Sequence, residues 1–387
     1  MAQLVLKRGA ERRVKAGHPW IYRTQVADLK GAWKAAEAVE LRDSGGRFLG
    51  RGFYNPRPSL CCRLLTRRDE PVDAAFFRRR LEAAWEYRRT ARLIADAYRL
   101  VWSEADGLPG LVVDRYGPLS VVQCLTLGMA TAAPWIVESL SRLYPEGRVH
   151  RSDDATAARL EGFEAQHDPP GQELVVTEGA CRFAVTPGTG HKTGLYLDQR
   201  ENRELTARHA AGRRVLDAFS YAGAFACHAL AAGATQALLL DSSAEALALG
   251  RRNLELNQVA GRAELREGNA FDLLRGLEAA DERFGVIVLD PPPFTRRKGS
   301  LEAAARGYKE INIRGLRLLE TGGVLATFSC SHHVTPALFE EICREAAGDA
   351  GISVRVVQML SQSRDHPVLL SVPESRYLTG LLLQRPS

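Results

Sequence analysis

Cys330, in the run Phe328-Ser329-Cys330-Ser331-His332-His333, closes a strand-like apolar segment and puts a thiol where reacting groups are expected. As a thiolate it can add to an electron-poor ring carbon. Cytosine C5 is too poor a nucleophile to attack a sulfonium methyl unaided, whereas addition of a thiolate at C6 turns the ring into an enamine that can. A second segment, Val288-Leu289-Asp290-Pro291-Pro292-Pro293-Phe294, ends in an acid followed by three prolines. Proline fixes φ and has no N–H, so the run predicts a rigid ledge whose carbonyls are free to accept from a flat base amide. Pro291, Pro292 and Phe294 are its candidate base contacts. Asp290 would hold or share a proton near N3 or the exocyclic amine as charge develops on the ring. A stiff loop is the plainer reading of such a run, but its place behind an acid at a strand end favours the functional one. Arg296, Arg297, Lys298 or a protonated His332 could lower the thiol pKa, although His332 and His333 read better as ordinary loop histidines.

Three further segments end in polar groups suited to a nucleoside. Val215-Leu216-Asp217 feeds the small-residue turn Ala218-Phe219-Ser220-Tyr221-Ala222-Gly223-Ala224, which lets backbone approach a ligand closely. This turn is not Gly-x-Gly-x-x-Gly. The missing glycines weigh against a dinucleotide pyrophosphate and fit a ligand without phosphate, such as S-adenosylmethionine. Leu239-Leu240-Asp241-Ser242 follows at the interval where a carboxylate can accept both ribose hydroxyls. Asn269-Ala270-Phe271 would set polar groups on an adenine edge and Phe271 against its face. Any one of Asp217, Asp241 and Asn269 also reads as a helix cap; three in register favour a shared ligand.

For these residues to meet, the segments carrying them must be neighbouring strands. Strand candidates at 215–217, 237–241, 263–265, 286–290 and 324–328 alternate with helical stretches at 225–231, 244–256, 270–277 and 301–319. That alternation predicts a doubly wound sheet of parallel strands, with ligands beyond their C-terminal ends. Upstream, residues 1–73 read as a small all-β module of short strands at 4–6, 38–41, 47–53 and 61–65, broken by Gly and Pro turns. From Asp73 a long helix is expected, with Phe77, Leu81, Ala84, Ala91, Ala95 and Tyr98 on its apolar face. An α+β middle domain follows, so the expected domains are 1–73, 74–184 and 185–387.

The 387 residues are 45% apolar and 25% charged, the composition of a globular chain too long for a single core. No apolar run approaches the ~20 residues that span a bilayer, and the first residues lack the layout of a secretion signal, so a cytoplasmic address without membrane contact is expected. The seven cysteines contain no Cys-x-x-Cys pair, which suggests neither a disulfide framework nor a zinc site, and no metal is expected. Net charge is +6, and residues 1–73 carry 15 Lys and Arg against 8 Asp and Glu, so the surplus is N-terminal. A polyanion gripped by the first domain is one reading and an arginine-rich solvated surface the other. The candidate RNA contacts there are Lys15, His18, Trp20 and Arg23, with His18, Trp20 and Tyr22 expected to be exposed; Trp20 reads equally as core.

Over nearly its full length the chain resembles the RlmI-like family of S-adenosylmethionine-dependent 23S rRNA (cytosine-C5)-methyltransferases. The matching segments are Gly17-His18-Pro19-Trp20, Gly50-Arg51-Gly52-Phe53-Tyr54-Asn55-Pro56, Glu104-Ala105-Asp106-Gly107-Leu108-Pro109-Gly110-Leu111, Lys192-Thr193-Gly194-Leu195-Tyr196-Leu197-Asp198-Gln199-Arg200, the Asp290 proline run and Ser329-Cys330-Ser331. The resemblance implies a β-barrel-like PUA domain that binds ribosomal RNA, a strand-strand-helix-strand-strand middle domain and a Rossmann-like class I methyltransferase domain. It also implies that Gln199, Arg200, Asp217, Ala218, Phe219, Ser220, Tyr221, Asp241, Asn269, Ala270, Phe271 and Asp290 surround the cofactor S-adenosylmethionine. Ser242 joins that set by its place beside Asp241. Ala224 stands where relatives often carry a second glycine. Rival readings are methylation of an amino group or purine nitrogen, which would not need Cys330, and a noncatalytic RNA-binding protein; a dehydrogenase is disfavoured by the glycine-poor turn. The target nucleotide and the formation of a homodimer stay open.

Overall fold

A computed structural model of the chain describes residues 1–93, 95–188, 195–294, 301–331 and 333–386. Two units divide it: residues 1–174, 185–188 and 364–375 form the first, and 175–184, 195–363 and 376–386 the second.

In the first unit, β1 (Gln3–Leu6), α1 (Glu11–Lys15), β2 (Trp20–Tyr22), β3 (Val26–Lys30), β4 (Ala38–Arg42), β5 (Phe48–Tyr54) and β6 (Leu60–Thr66) build a six-stranded sheet in the order 2-6-5-4-1-3. Alternate residues Leu4, Leu6, Val39, Leu41, Cys62 and Leu64 point into its core, as strand periodicity requires. Helix α2 (Ala74–Thr90) begins at Asp73, whose carboxylate accepts from Phe76 N at 2.9 Å. It ends earlier than expected. Arg92 takes φ +54° and Leu93 N donates to Arg88 O, a turn that closes the helix. Tyr98, expected on the face of that helix, lies instead in β7 (Ala97–Trp102), which pairs with β8 (Leu111–Tyr116). With β9 (Leu119–Cys124), α3 (Leu127–Leu143), β10 (Arg148–Arg151) and α4 (Ala155–Glu161), these complete a four-stranded sheet in the order 10-9-8-7.

The segment Arg364–Ser375 returns to this unit late in the sequence. Arg88, fully buried, pairs with Asp106 and donates from Nη2 to Asp365 O at 2.7 Å. His18 was expected on the surface and is only 3% exposed: its ring packs edge-on against Trp20 at 5.1 Å, and its Nε2 lies 3.1 Å from Glu374 Oε2.

The second unit opens with the hairpin β11 (Leu174–Glu178) and β12 (Cys181–Val185), then α5 (Arg200–Ala207). Its main sheet follows: β13 (Arg214–Ala218), α6 (Ala224–Ala231), β14 (Gln236–Asp241), α7 (Ala244–Leu256), β15 (Ala263–Glu267), α8 (Ala270–Ala279), β16 (Phe284–Leu289), α9 (Leu301–Leu318), β17 (Leu319–Ser329), α10 (Pro336–Ala350), β18 (Arg355–Ser361) and β19 (Thr379–Gln384). The strand order is 15-14-13-16-17-19-18. The five strands from β13 to β17 are mutually parallel; β13, β14, β16 and β17 carry buried apolar runs, whereas β15, expected as a strand of the same kind, lies at the sheet edge with no fully buried residue. The sheet is not parallel throughout: β19 runs antiparallel between β17 and β18. All five parallel strands end on one edge, which gathers the residues that follow them.

Candidate active site

Asp217, the fourth residue of β13, is 0% exposed. Its Oδ2 accepts from Ala226 N at 3.1 Å, while Oδ1 has no partner. Burial lifts this carboxyl well above the usual carboxylate range, and the charges of Asp290 and Asp241 push it further. Asp241 accepts from Tyr221 N at 2.8 Å and Ser243 N at 2.9 Å, which leaves each oxygen a second lone pair. Asn269 caps α8 by accepting from Phe271 N at 2.9 Å. Asn269 is thus a helix cap and Asp217 satisfies one N–H in the first turn of α6, whereas α7 is capped by Ser243 and not by Asp241; Asp217 also keeps one oxygen in reserve.

The turn after β13 is strained. Phe219 and Tyr221 are non-glycine residues at φ +64° and +46°, a conformation costing on the order of 1 kcal/mol or more each. Gly223 at φ +67° is the N-cap of α6, and a Cβ there would stand 2.7 Å from Leu239 Cδ2, so this position needs glycine. Ala224 opens the helix itself and tolerates a side chain. Asn253, fully buried, braces the turn by donating to Ala222 O at 2.9 Å. Ser220, after the strand, has a buried Oγ without a partner. Ala218 and Ala270 are buried, and Ser242 is exposed.

The Tyr196 ring packs edge-on against Tyr221 at 5.0 Å, linking the Leu197–Gln199 turn to this region. Asn202 fixes the orientation of the Gln199 amide. Its Nδ2 donates to the Ser361 carbonyl at 2.9 Å, so that end is nitrogen, and the same group donates to Gln199 Oε1 at 2.6 Å. Gln199 Nε2 is thereby turned the other way, buried and without an acceptor. Arg200, also buried, starts α5. Replacing Asn202 with Ala frees that amide to rotate, and S-adenosylhomocysteine affinity measured by calorimetry should fall about 5- to 20-fold, near the ~1 to 2 kcal/mol of one hydrogen bond. Unchanged affinity would remove Gln199 from the binding set.

An unsatisfied carboxylate oxygen, hydroxyl and amide donor, together with a carboxylate at the end of β14, match the ammonium, carboxylate and ribose hydroxyls of S-adenosylmethionine. The residues present fit that group.

Phe294 joins the ring set, with Phe271 at 5.7 Å, Phe219 at 6.4 Å and Tyr308 at 4.6 Å. Asp290 directly follows β16, and Pro291 O receives the Cys330 thiol at 3.7 Å. The structure thus brings the proline ledge and the thiol together. Pro292 is exposed and Pro291 buried. Arg296, Arg297, Lys298 and His332 lie outside the described residues, as do Lys192, Thr193 and Gly194.

Cys330 is half-buried, whereas the other six cysteines are buried. Burial pushes those thiols up, Cys61 to about 11 and Cys124, Cys181 and Cys343 to about 12, with Cys62 and Cys227 raised too. Brief treatment of native protein with iodoacetamide at pH 7.5 should label Cys330 alone. Peptide mapping that finds another cysteine modified first would contradict this.

The four candidate RNA contacts lie in the first unit and are engaged there. Trp20 donates from Nε1 to Glu104 Oε1 at 2.8 Å, Lys15 pairs with Asp43 at 3.5 Å, and Arg23 donates to the Arg57 and Pro58 carbonyls. Lys7, Arg8 and Arg12 are exposed, as is Lys15. Sequence reasoning missed the buried set Glu178, Arg203 and His228. Arg203 forks onto Glu178 at 2.6 and 2.7 Å, His228 Nε2 sits 3.0 Å from Glu178 Oε1, and Arg203 Nη1 donates to Tyr196 O at 3.0 Å. Nothing in the local sequence around these three residues marks them as partners.

Among the described residues no cluster of side chains could hold a metal, and no helix is long and apolar enough to cross a membrane. The seven-stranded sheet with its strand-end acids defines a Rossmann-like S-adenosylmethionine-dependent methyltransferase. A family model of that description matches residues 118–372, and a PUA-like domain model matches residues 4–67. Ribosomal RNA large subunit methyltransferase I of Klebsiella pneumoniae (strain 342) is 41% identical over 387 residues, covering 98% of this chain and 97% of its own. The Escherichia coli (strain K12) protein of the same name is 39% identical, with 98% of each chain covered. The chain belongs to the ribosomal RNA large subunit methyltransferase I family. Its fold is shared with a crystal structure of a methyltransferase complexed with SAH (TM-score 0.85, 20% identity, 99% of this chain and 100% of that one). A SAM-dependent methyltransferase from Streptococcus mutans gives a TM-score of 0.82 at the same identity and coverage.

Proposed function

We propose that this chain methylates C5 of a cytosine in large-subunit ribosomal RNA, in the cytoplasm, through a transient bond between Cys330 and C6. The observation that carries the reading is the Cys330 thiol, half-buried and directed at the Pro291 carbonyl beside Asp290. S-adenosylmethionine, held by Gln199, Arg200, Ser220, Asp217, Asp241 and the Asn269–Phe271 turn, supplies when bound an electrophilic methyl group. The target base must leave its stack to reach the site. The Pro291–Phe294 ledge receives it, and Phe294 offers a ring face. Cys330, as thiolate, forms the S–C6 bond, and the ring electrons move toward N3, where Asp290 holds the balancing proton. C5 becomes nucleophilic only in this adduct. After C5 is methylated its proton leaves to a base, the ring electrons re-form the C5–C6 double bond, and the S–C6 bond breaks to release the Cys330 thiolate.

The test is RNA carrying 5-fluorocytosine. Fluorine in place of the C5 proton blocks release, so enzyme and RNA should stay linked, with the link mapping to Cys330. Bound fluorinated RNA that never becomes linked, or labelled methyl groups found on nitrogen, would overturn the reading.

The N-terminal sheet supplies the RNA grip through Lys7, Arg8, Arg12 and Lys15. Changing the first three together to Ala should make the plot of log affinity against log salt shallower by about 2, at ~0.7 per phosphate contact on single-stranded RNA. An unchanged slope would place the grip elsewhere.

A further inference from the structure

We infer that Tyr308 is a positioning residue for the methyl transfer, clamping the loop that carries Cys330 and the loop that carries Asp290 to one rigid side chain. The inference rests on the covalent reading above. Tyr308 projects from α9 and is 0% exposed. Its hydroxyl lies 2.9 Å from Ser331 Oγ, and Ser331 is the residue immediately after the thiol. Its ring lies 4.6 Å from the Phe294 ring, at the far end of the proline run that starts behind Asp290. Phe339 closes the other side edge-on at 5.7 Å, so the buried ring is packed between two aromatic neighbours. Gly307 completes the fit: a Cβ there would stand 3.1 Å from the Phe294 ring.

The two ends of this side chain therefore hold different things. The ring end sets where the ledge terminates. The hydroxyl end fixes Ser331, which is 2% exposed and also anchors the start of the next turn by accepting from Val334 N at 2.9 Å. Cys330 sits between Ser329 and Ser331, and its Sγ–H reaches Pro291 O. The direction in which the thiol points is thus tied to the ledge twice, once through that contact and once through Tyr308. A buried phenol needs a partner for its hydroxyl, and Phe in its place would fill the same space without linking the loops. In reactions that depend on alignment, a displacement near 1 Å costs about 100-fold.

Tyr308→Phe in the full-length enzyme removes the hydroxyl and keeps the ring. The expected result is a fall of about 10- to 100-fold in kcat and in the rate of adduct formation with 5-fluorocytosine RNA. S-adenosylhomocysteine affinity and the KM for RNA should stay within about twofold. Ser331→Ala should lose activity in the same direction, and the double variant should lose no more than Tyr308→Phe alone, because the phenol hydroxyl removed there is the partner of Ser331 and also meets Ser329 and the Phe294 backbone. Should Tyr308→Phe fold poorly, the Ser331→Ala arm carries the same comparison. The inference is overturned by a Tyr308→Phe enzyme that methylates at the wild-type rate, by cofactor affinity falling in step with kcat, or by additive losses in the double variant. A wild-type enzyme that forms no adduct overturns the covalent reading itself, whereas a wild-type adduct with an unimpaired Tyr308→Phe overturns only the clamp.

Discussion

Cys330→Ala should reduce methyl transfer to RNA below about one-thousandth of the wild-type rate, a rise of more than ~4 kcal/mol in the barrier, while S-adenosylhomocysteine binds as before. The size of the effect follows from the chemistry. Without an S–C6 bond the ring has no enamine form, and no positioning by the remaining residues replaces it. None of the other cysteines can substitute, since all six are buried. The two readouts separate a lost nucleophile from a lost fold: calorimetry reports the cofactor site, and a single-turnover assay reports the chemistry. A Cys330→Ala enzyme that still forms product would end the proposal.

The second large effect lies away from the reacting atoms. Glu178→Gln should destabilise the protein by about 3 to 5 kcal/mol, because it takes from the Arg203 guanidinium, itself only 2% exposed, the carboxylate it forks onto. The denaturant midpoint measures this directly. The same pair sets part of the acid limb of stability. Burial alone would raise the Glu178 carboxyl, but the Arg203 charge and the His228 contact outweigh it and hold the group at about 2. A carboxyl depressed in the folded state stabilises above its unfolded value, near 4.3, and that contribution fades as pH falls from there through about 2. Wild type should therefore lose more stability than Glu178→Gln between pH 5 and pH 2.5. Parallel curves for the two proteins would show that the pair does not titrate this way.

Much of the site was legible because parallel strands buried on both faces read as unbroken apolar runs, and the residue ending each run is easy to find. By this route Asp217, Asp241, Asp290 and Cys330 were placed at or just after strand ends, where the structure has them. The sheet's last two strands were harder. Val356, Val357 and Met359 of β18 are exposed, so that strand lacks the apolar signature of its neighbours. Burial that depends on distant partners left no local trace. Nothing near His18 announces Glu374, 356 positions away, and nothing near Glu178 announces His228, 50 positions away. Tyr308 lies inside a stretch legible only as a helix, and the hydrogen bond that distinguishes it is made across 23 positions.

The threading of residues 364–375 also governs how this protein is born. Arg88 and the backbone of Arg99 both bond to Asp365, so the first unit lacks two of its interior bonds until that residue has been translated. At ~5 to 20 residues per second, the ribosome takes roughly 10 to 40 s to travel from residue 174 to residue 364. During that interval the N-terminal half waits unfinished, with a buried arginine short of a ligand, and a nascent chain stalled before Asp365 should be far more open to protease than the released product.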